Sequence, residues 1–98
     1  MNYTQIEQDY PKAYGVFKQS KYYRVSDSGY LLFDDRDLYD FFDERELFIE
    51  ISHTKREWSW IIFKGDDGLE CFEYSTKRRT SAEACAFNAA FKLLEETL

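Results

Sequence analysis

The sequence predicts one α+β domain, residues 1–98, with N-terminal helices, a three-stranded antiparallel β-meander and a C-terminal amphipathic helix packed on the sheet. Helical spacing of apolar residues near both ends and alternating spacing over residues 47–76 predict this order. Nineteen per cent of the residues are aromatic, which excludes disorder because they can bury enough area to offset chain entropy. Ninety-eight residues can bury one modest core, so we expect one domain.

The first twenty residues predict helix, broken or kinked near Pro11, which suits the first turn of a helix. Thr4 and Glu7 have the spacing of a capping box. The following "SDSG", residues 26–29, is typical of a turn between the short apolar pieces "YYRV" and "YLLF". A small hairpin and an irregular crossing both fit this segment.

The stretch "DDRDLYDFFDERE", residues 34–46, holds seven acidic side chains and predicts a short amphipathic helix. Leu38, Phe41 and Phe42 share one stripe, which we expect in the core. Asp34 or Asp35 would cap the helix, and other early acids would favour the positive end of its dipole. The remaining acids exceed what one cap requires, so this helix is a candidate interaction surface.

Three segments with alternating patterns predict the meander: "LFIEIS", "EWSWIIFK" and "LECFEYST". "KGDDG", residues 64–68, predicts the hairpin loop between the second and third strands. The second and third strands carry large apolar groups on both faces, so something must cover the second face. Either a helix lies across it, or an aromatic pair, Trp58 with Trp60 or Phe72 with Tyr74, forms an exposed platform for a partner.

The C-terminal helix follows from "TSAEACAFNAAFKLLEETL", with a predicted capping box from Thr80 to Glu83. Apolar residues then recur at steps of three and four, which indicates a face packed on the sheet. These residues are Ala84, Phe87, Phe91, Leu94 and Leu98.

The sequence lacks the motifs of metal, dinucleotide and P-loop sites, and its one histidine, His53, falls in a predicted turn. We therefore expect no catalytic residues, no metal and no cofactor, and a protein that is not an enzyme. Cys71 and Cys85 are predicted to be buried thiols. The sequence carries neither a secretory signal nor an apolar run of membrane-spanning length, so we expect a cytoplasmic protein without membrane contact.

The net charge of −6 is concentrated in residues 26–50, which sum to −7. An anionic surface disfavours nucleic acid and suits a basic protein partner. Monomer and homodimer both remain open. The candidate protein-binding residues are Asp37, Asp40, Asp43, Glu44, Trp58 and Trp60.

Nucleic-acid binding is the alternative, through the basic residues Lys77, Arg78 and Arg79 ahead of the last helix. The predicted order of elements also resembles the topology of double-stranded-RNA-binding domains. In that family, lysines at the start of the final helix grip phosphates. Here Ala82 and Cys85 fall at the corresponding positions and Glu83 adds a negative charge, which weighs against RNA binding.

The stretch "LYDFFDERELFIEI", residues 38–51, the tryptophan-bearing strand and "RRTSAEACAFNAAFKLLEETL", residues 78–98, together resemble a group of small uncharacterised proteins of bacteriophages and prophages of gut bacteria. The shared pattern is "DFFDE" before a strand and a final helix of the form "EA…AF..AF..LEE.L". It covers about the last sixty residues. The resemblance implies a phage or prophage accessory protein in the host cytoplasm and implies no particular mechanism.

Overall fold

The computed structural model describes residues 1–65, 69–75 and 77–98, with side-chain surroundings for 1–65 and 77–98. It is an α+β fold with an antiparallel sheet and a long C-terminal helix, which confirms the predicted class. Along the chain the elements are α1 (Tyr3–Asp9), α2 (Pro11–Lys18), α3 (Asp35–Asp43), β1 (Leu47–Thr54), β2 (Glu57–Lys64), β3 (Leu69–Ser75) and α4 (Arg79–Thr97).

The N-terminal helices meet at Tyr10, whose φ of −132° ends α1, and Pro11 opens α2 as predicted. The predicted capping box at Thr4 is wrong. Asn2 is the N-cap, and its side chain accepts a hydrogen bond from the Gln5 backbone N–H. Asparagine is among the best N-cap residues, and the cap of α1 therefore lies two residues before the predicted Thr4.

Helix α3 begins as the sequence predicts, with Asp34 as its N-cap. The Asp34 carboxylate accepts from the Asp37 backbone N–H, and the Asp37 carboxylate accepts from the Asp34 N–H at 3.0 Å, a reciprocal capping box. Leu38, Phe41 and Phe42 are fully buried, which confirms the predicted stripe.

Strands β1 and β2 form an antiparallel hairpin whose pairing runs from Leu47 opposite Lys64 to Thr54 opposite Glu57. Its two-residue turn places Lys55 and Arg56 at positive φ. The backbone of β3 pairs antiparallel with β2, with an irregularity between Ile62 and Phe63. The predictions for the side chains of Cys71, Phe72 and Tyr74, and for the acids of the "KGDDG" loop, lie outside the described residues.

The two faces of the β1–β2 hairpin differ. One contributes Leu47, Trp60 and Ile62 to the core that the helices share. On the other, Phe48 is 40% exposed and pairs with Phe63, and neither belongs to that core. Ser59 on this face is nonetheless buried and Ile61 and Phe63 are half-buried, so the expectation that a helix covers the second face stays a prediction.

Helix α4 contacts β1 and β2 and also α2. Its N-cap is Arg78, without a side-chain capping bond, so the predicted Thr80 to Glu83 capping box is wrong. Glu83 is instead buried and accepts a hydrogen bond from the Tyr39 hydroxyl at 3.1 Å. Ala86, Ala90 and three large side chains form the buried face: Phe87, Phe91 and Leu94.

Phe17 lies at the centre of an aromatic cluster that joins the helices. Its ring meets the rings of Phe33 and Phe41 edge to face, each with centroids 4.9 Å apart, and that of Phe91 at 6.0 Å. Each such pair stabilises the fold by about 0.5–1.5 kcal/mol beyond the free energy gained by burying its apolar surface. The cluster fixes the loop that precedes α3, because Phe33 belongs to that loop.

Candidate protein-binding surface

Residues 24–32 form a small hairpin, which settles the alternatives that the sequence left open. The Leu32 N–H donates to the Arg24 carbonyl and the Ser26 N–H to the Tyr30 carbonyl, both at 2.8 Å. Gly29 closes the turn at a φ of +87°, a conformation that favours glycine. Val25 and Leu31 form a β-bridge between the two arms.

This hairpin exposes large apolar side chains next to one another in sequence. Tyr30 is 73% exposed and Leu32 is 57% exposed, and Val25 and Leu31 are exposed as well. Neighbouring exposed apolar residues of this size are typical of protein interaction sites. Tyrosine is also common among the residues that dominate binding energy.

The base of the hairpin is held by aromatic contacts. Phe33 is buried and meets the rings of Tyr3 and Phe17 edge to face. On the other arm, Tyr23 contacts Phe17 and Tyr14 in the same geometry, with centroids 5.6 and 6.2 Å apart. Both arms are therefore anchored in the core while the apolar residues between them face solvent.

Two of the acidic residues predicted to bind a partner instead bind this loop or the residues just before it. The Arg24 guanidinium donates to Asp37 at 2.9 Å, and Glu44 accepts from the Tyr22 hydroxyl and pairs with Lys21 at 3.3 Å. The Asp34 backbone N–H and the Arg24 guanidinium lower the pKa of Asp37. The Tyr22 hydroxyl and Lys21 likewise lower the pKa of Glu44. Part of the excess acidity of α3 is thus structural.

Asp40 and Asp43 have no such anchoring role. Asp40 forms one exposed pair with Arg36 at 3.7 Å, a geometry that contributes little stability. Asp43 is exposed, yet partial desolvation and the neighbouring Asp40 raise its pKa. Among the predicted acidic residues, these two are the ones available to a partner.

The predicted tryptophan platform is wrong for Trp60, which is 3% exposed and belongs to the core. Trp58 is half-buried: its ring stacks on His53 with centroids 4.6 Å apart, and the Arg79 guanidinium lies 5.9 Å from its centroid. Both tryptophans lie on the core side of β2, because Trp60 belongs to the core and Trp58 packs against it. His53 itself lies in β1, and the turn follows it.

The basic residues ahead of α4 are all exposed. Arg79 pairs with Glu83 at 3.4 Å, which leaves Lys77 and Arg78 as the cations that face solvent there. Cys85 is a free, exposed thiol, so the prediction of burial is wrong for this cysteine.

Sequence reasoning missed the apolar hairpin as a site. The available signal was "YLLF", residues 30–33, four consecutive large apolar residues beside a turn. A strand that short cannot bury both of its faces in so small a domain, and only Phe33 reaches the core.

The chain matches no protein-family model, no curated protein and no solved structure. In the described part of the chain, no helix combines the length and the apolar character needed to cross a membrane. Within the same residues, no cluster of three or more histidine, cysteine or acidic side chains is placed to hold a metal ion.

Proposed function

We propose that this chain is a non-enzymatic protein-binding module that uses the hairpin 24–32 as its main contact. The observation that carries the proposal is the exposure of Tyr30 and Leu32 on a loop whose two arms are anchored in the core. A solvated loop of a monomeric protein usually carries polar residues, whereas this one presents an apolar tip.

Anchoring favours binding because a preorganised loop loses little conformational entropy when it meets a partner. Tyr23 and Phe33 hold the arms inside the aromatic cluster, and the Arg24 to Asp37 ion pair holds the same loop from outside. The apolar tip is thus carried between two anchored ends.

The charge around the hairpin indicates the class of partner. Asp27 in the hairpin turn adds a negative charge to the apolar tip, and α3, whose Asp37 binds Arg24 of the hairpin, carries the further acids Asp40 and Asp43. The partner surface that complements this arrangement is an apolar pocket with a basic rim. A basic protein of a bacterial host is such a partner, and the resemblance to phage and prophage proteins supports a bacterial cytoplasm as the setting.

The proposal also includes the complete meander, with the segment 69–75 as its third strand. In that arrangement β1 is one edge of the sheet, and the outward residues Phe48 and Phe63 form a second apolar surface. We assign the main contact to the hairpin, because Tyr30 and Leu32 are more exposed than Phe48.

Affinity capture from a bacterial lysate at low salt tests this proposal. We expect the wild-type chain to retain a basic protein and the variant Tyr30→Ser/Leu32→Ser to lose it. The variant Phe48→Ser is the matched control, since it removes an exposed aromatic residue from the outward sheet face and should retain the partner. If Phe48→Ser loses the partner and Tyr30→Ser/Leu32→Ser retains it, the binding site lies on the sheet and not on the hairpin.

Nucleic-acid binding is the second candidate, because Lys77 and Arg78 are exposed beside the N-terminus of α4. Electrophoretic shift of duplex RNA and DNA at low salt tests it, with Lys77→Ala/Arg78→Ala as the variant and Lys12→Ala as the control. A shift that the variant abolishes and the control preserves would replace the protein-binding proposal. The absence of any shift eliminates this candidate.

A further inference from the structure

We propose that the groove between α1 and α4 binds a small molecule with an apolar body and a carboxylate group. The groove has a volume of about 580 Å³, within the range of about 300–1,000 Å³ that is usual for small-molecule sites. It lies apart from the hairpin 24–32, and the inference does not depend on the proposed protein-binding function. Both helices and β2 contribute to its lining.

The strongest observation is an indole N–H without an acceptor. Trp60 lines the groove and is 3% exposed, and its Nε1 is buried without a hydrogen-bond partner among the described residues. A buried donor left unsatisfied costs about 1–3 kcal/mol. A ligand that displaces the atoms now covering Nε1 and places an oxygen there would remove that cost, so the site favours a molecule that brings an acceptor.

The polar residues of the lining can also donate. The Tyr10 hydroxyl donates to the Asn88 side-chain oxygen at 2.9 Å, an arrangement that leaves the Asn88 amide N–H₂ for a ligand. Lys92 follows Asn88 by one helical turn and lines the same groove. Its ammonium forms no ion pair with any side chain whose surroundings the structure describes.

The rest of the lining is apolar and small. Ile6 comes from α1, while Ala84 and Ala89 come from α4, where their short side chains leave room between the helices. Lys92 is the lining residue with a charged side chain. Three donors, one of them cationic, in a groove with a largely apolar lining match a carboxylate joined to a hydrocarbon or aromatic body.

Titration of the ¹⁵N-labelled full chain with octanoate tests the proposal. The chain has two tryptophans, so its spectrum contains two indole N–H signals, which the variant Trp58→Phe assigns. We expect the Trp60 signal to move downfield in a saturable manner while the Trp58 signal stays in place. Octan-1-ol and octylamine should bind at least about tenfold more weakly, since neither carries the anion that Lys92 attracts.

Two variants separate specific from general binding. Lys92→Gln should weaken octanoate binding about tenfold, whereas Lys12→Gln, an exposed lysine of α2 outside the groove, should leave it unchanged. Ala84→Phe should fill the groove and abolish the Trp60 shift while the Trp58 signal keeps its folded position. If Ala84→Phe fails to fold, the lysine pair decides the question. A Trp60 signal that does not respond, or equal binding by the two lysine variants, would overturn the proposal.

Discussion

Arg24 and Asp37 join the apolar hairpin to the acidic helix, with Nη2 and Oδ2 2.9 Å apart. The Asp37 side chain is 17% exposed, and its carboxylate also completes the cap of α3. One carboxylate therefore fixes both the start of the helix and the position of the loop before it. This relationship makes the hairpin an ordered part of the domain.

Removal of the Arg24 charge tests that relationship. We expect Arg24→Gln to increase amide hydrogen exchange at Tyr30 and Leu32 and to cost about 1 kcal/mol of unfolding free energy, because a half-exposed ion pair is lost. Arg36→Gln is the control, since its pair with Asp40 is longer and more exposed. Equal exchange in the two variants would show that the arms are held by the aromatic contacts alone.

The aromatic anchor and the exposed tip should differ sharply in their effect on stability. Phe33→Ala removes a buried ring and should cost about 3 kcal/mol in a urea titration. Tyr30→Ala, three residues earlier, should change the unfolding free energy by less than about 0.5 kcal/mol, because its side chain faces solvent. Similar losses of unfolding free energy from both substitutions would contradict the assignment of Phe33 as the anchor of the hairpin and Tyr30 as a solvent-facing contact residue.

The β1–β2 turn stores conformational strain. Lys55 and Arg56 have φ values of +50° and +69°, where residues other than glycine are disfavoured by about 1 kcal/mol each. The double variant Lys55→Asn/Arg56→Gly should therefore raise the unfolding free energy by about 1–2 kcal/mol, measured by thermal denaturation.

The turn of the hairpin 24–32 allows the reverse test, in which a glycine at positive φ is replaced. Gly29→Ala places a Cβ at a φ of +87° where no atom beyond the neighbouring residues lies within 4 Å, so any loss comes from the local backbone conformation and not from contacts with the rest of the protein. We expect a decrease in stability of about 1 kcal/mol. An unchanged melting temperature for both turns would show that backbone strain is absent from them.

Acid should loosen the hairpin before it unfolds the domain. The pKa values of Asp37 and Glu44 are lowered in the folded state, so their contribution is complete above the unfolded values near 4 and is lost as the pH falls through the folded values. Amide chemical shifts of the hairpin should be constant from pH 8 to about pH 5 and move below about pH 4. Asp37→Asn should remove part of that transition. A hairpin transition centred near pH 6 would contradict the assignment to these carboxylates.

Much of the fold follows from periodicity in the sequence. The stripe of Leu38, Phe41 and Phe42 is visible because helical spacing and burial coincide. Capping was less predictable, because several residues compete for each helix start. Asn2 caps α1 ahead of Thr4, and Glu83 is drawn into a buried hydrogen bond with Tyr39 instead of a capping box.

The candidate site was harder to predict, because tertiary contacts determine which apolar residues are buried and which stay exposed. In "YLLF" the sequence shows four apolar residues, and only the packing around Phe17 determines that Phe33 enters the core while Tyr30 does not. The roles of the acids were hidden for the same reason. The partners of Asp37 and Glu44 come from residues 21–24, which charge counting along α3 does not reveal.

The affinity of a captured partner for single-residue variants tests the central claim most directly. By calorimetry, we predict that Tyr30→Ala weakens binding at least tenfold and that Phe48→Ala changes it by less than about twofold. Each variant removes one exposed aromatic side chain, so a difference in affinity reports whether the partner contacts the hairpin or the sheet. Unchanged affinity for Tyr30→Ala, with weakened affinity for Phe48→Ala, would show that the hairpin is not the main contact.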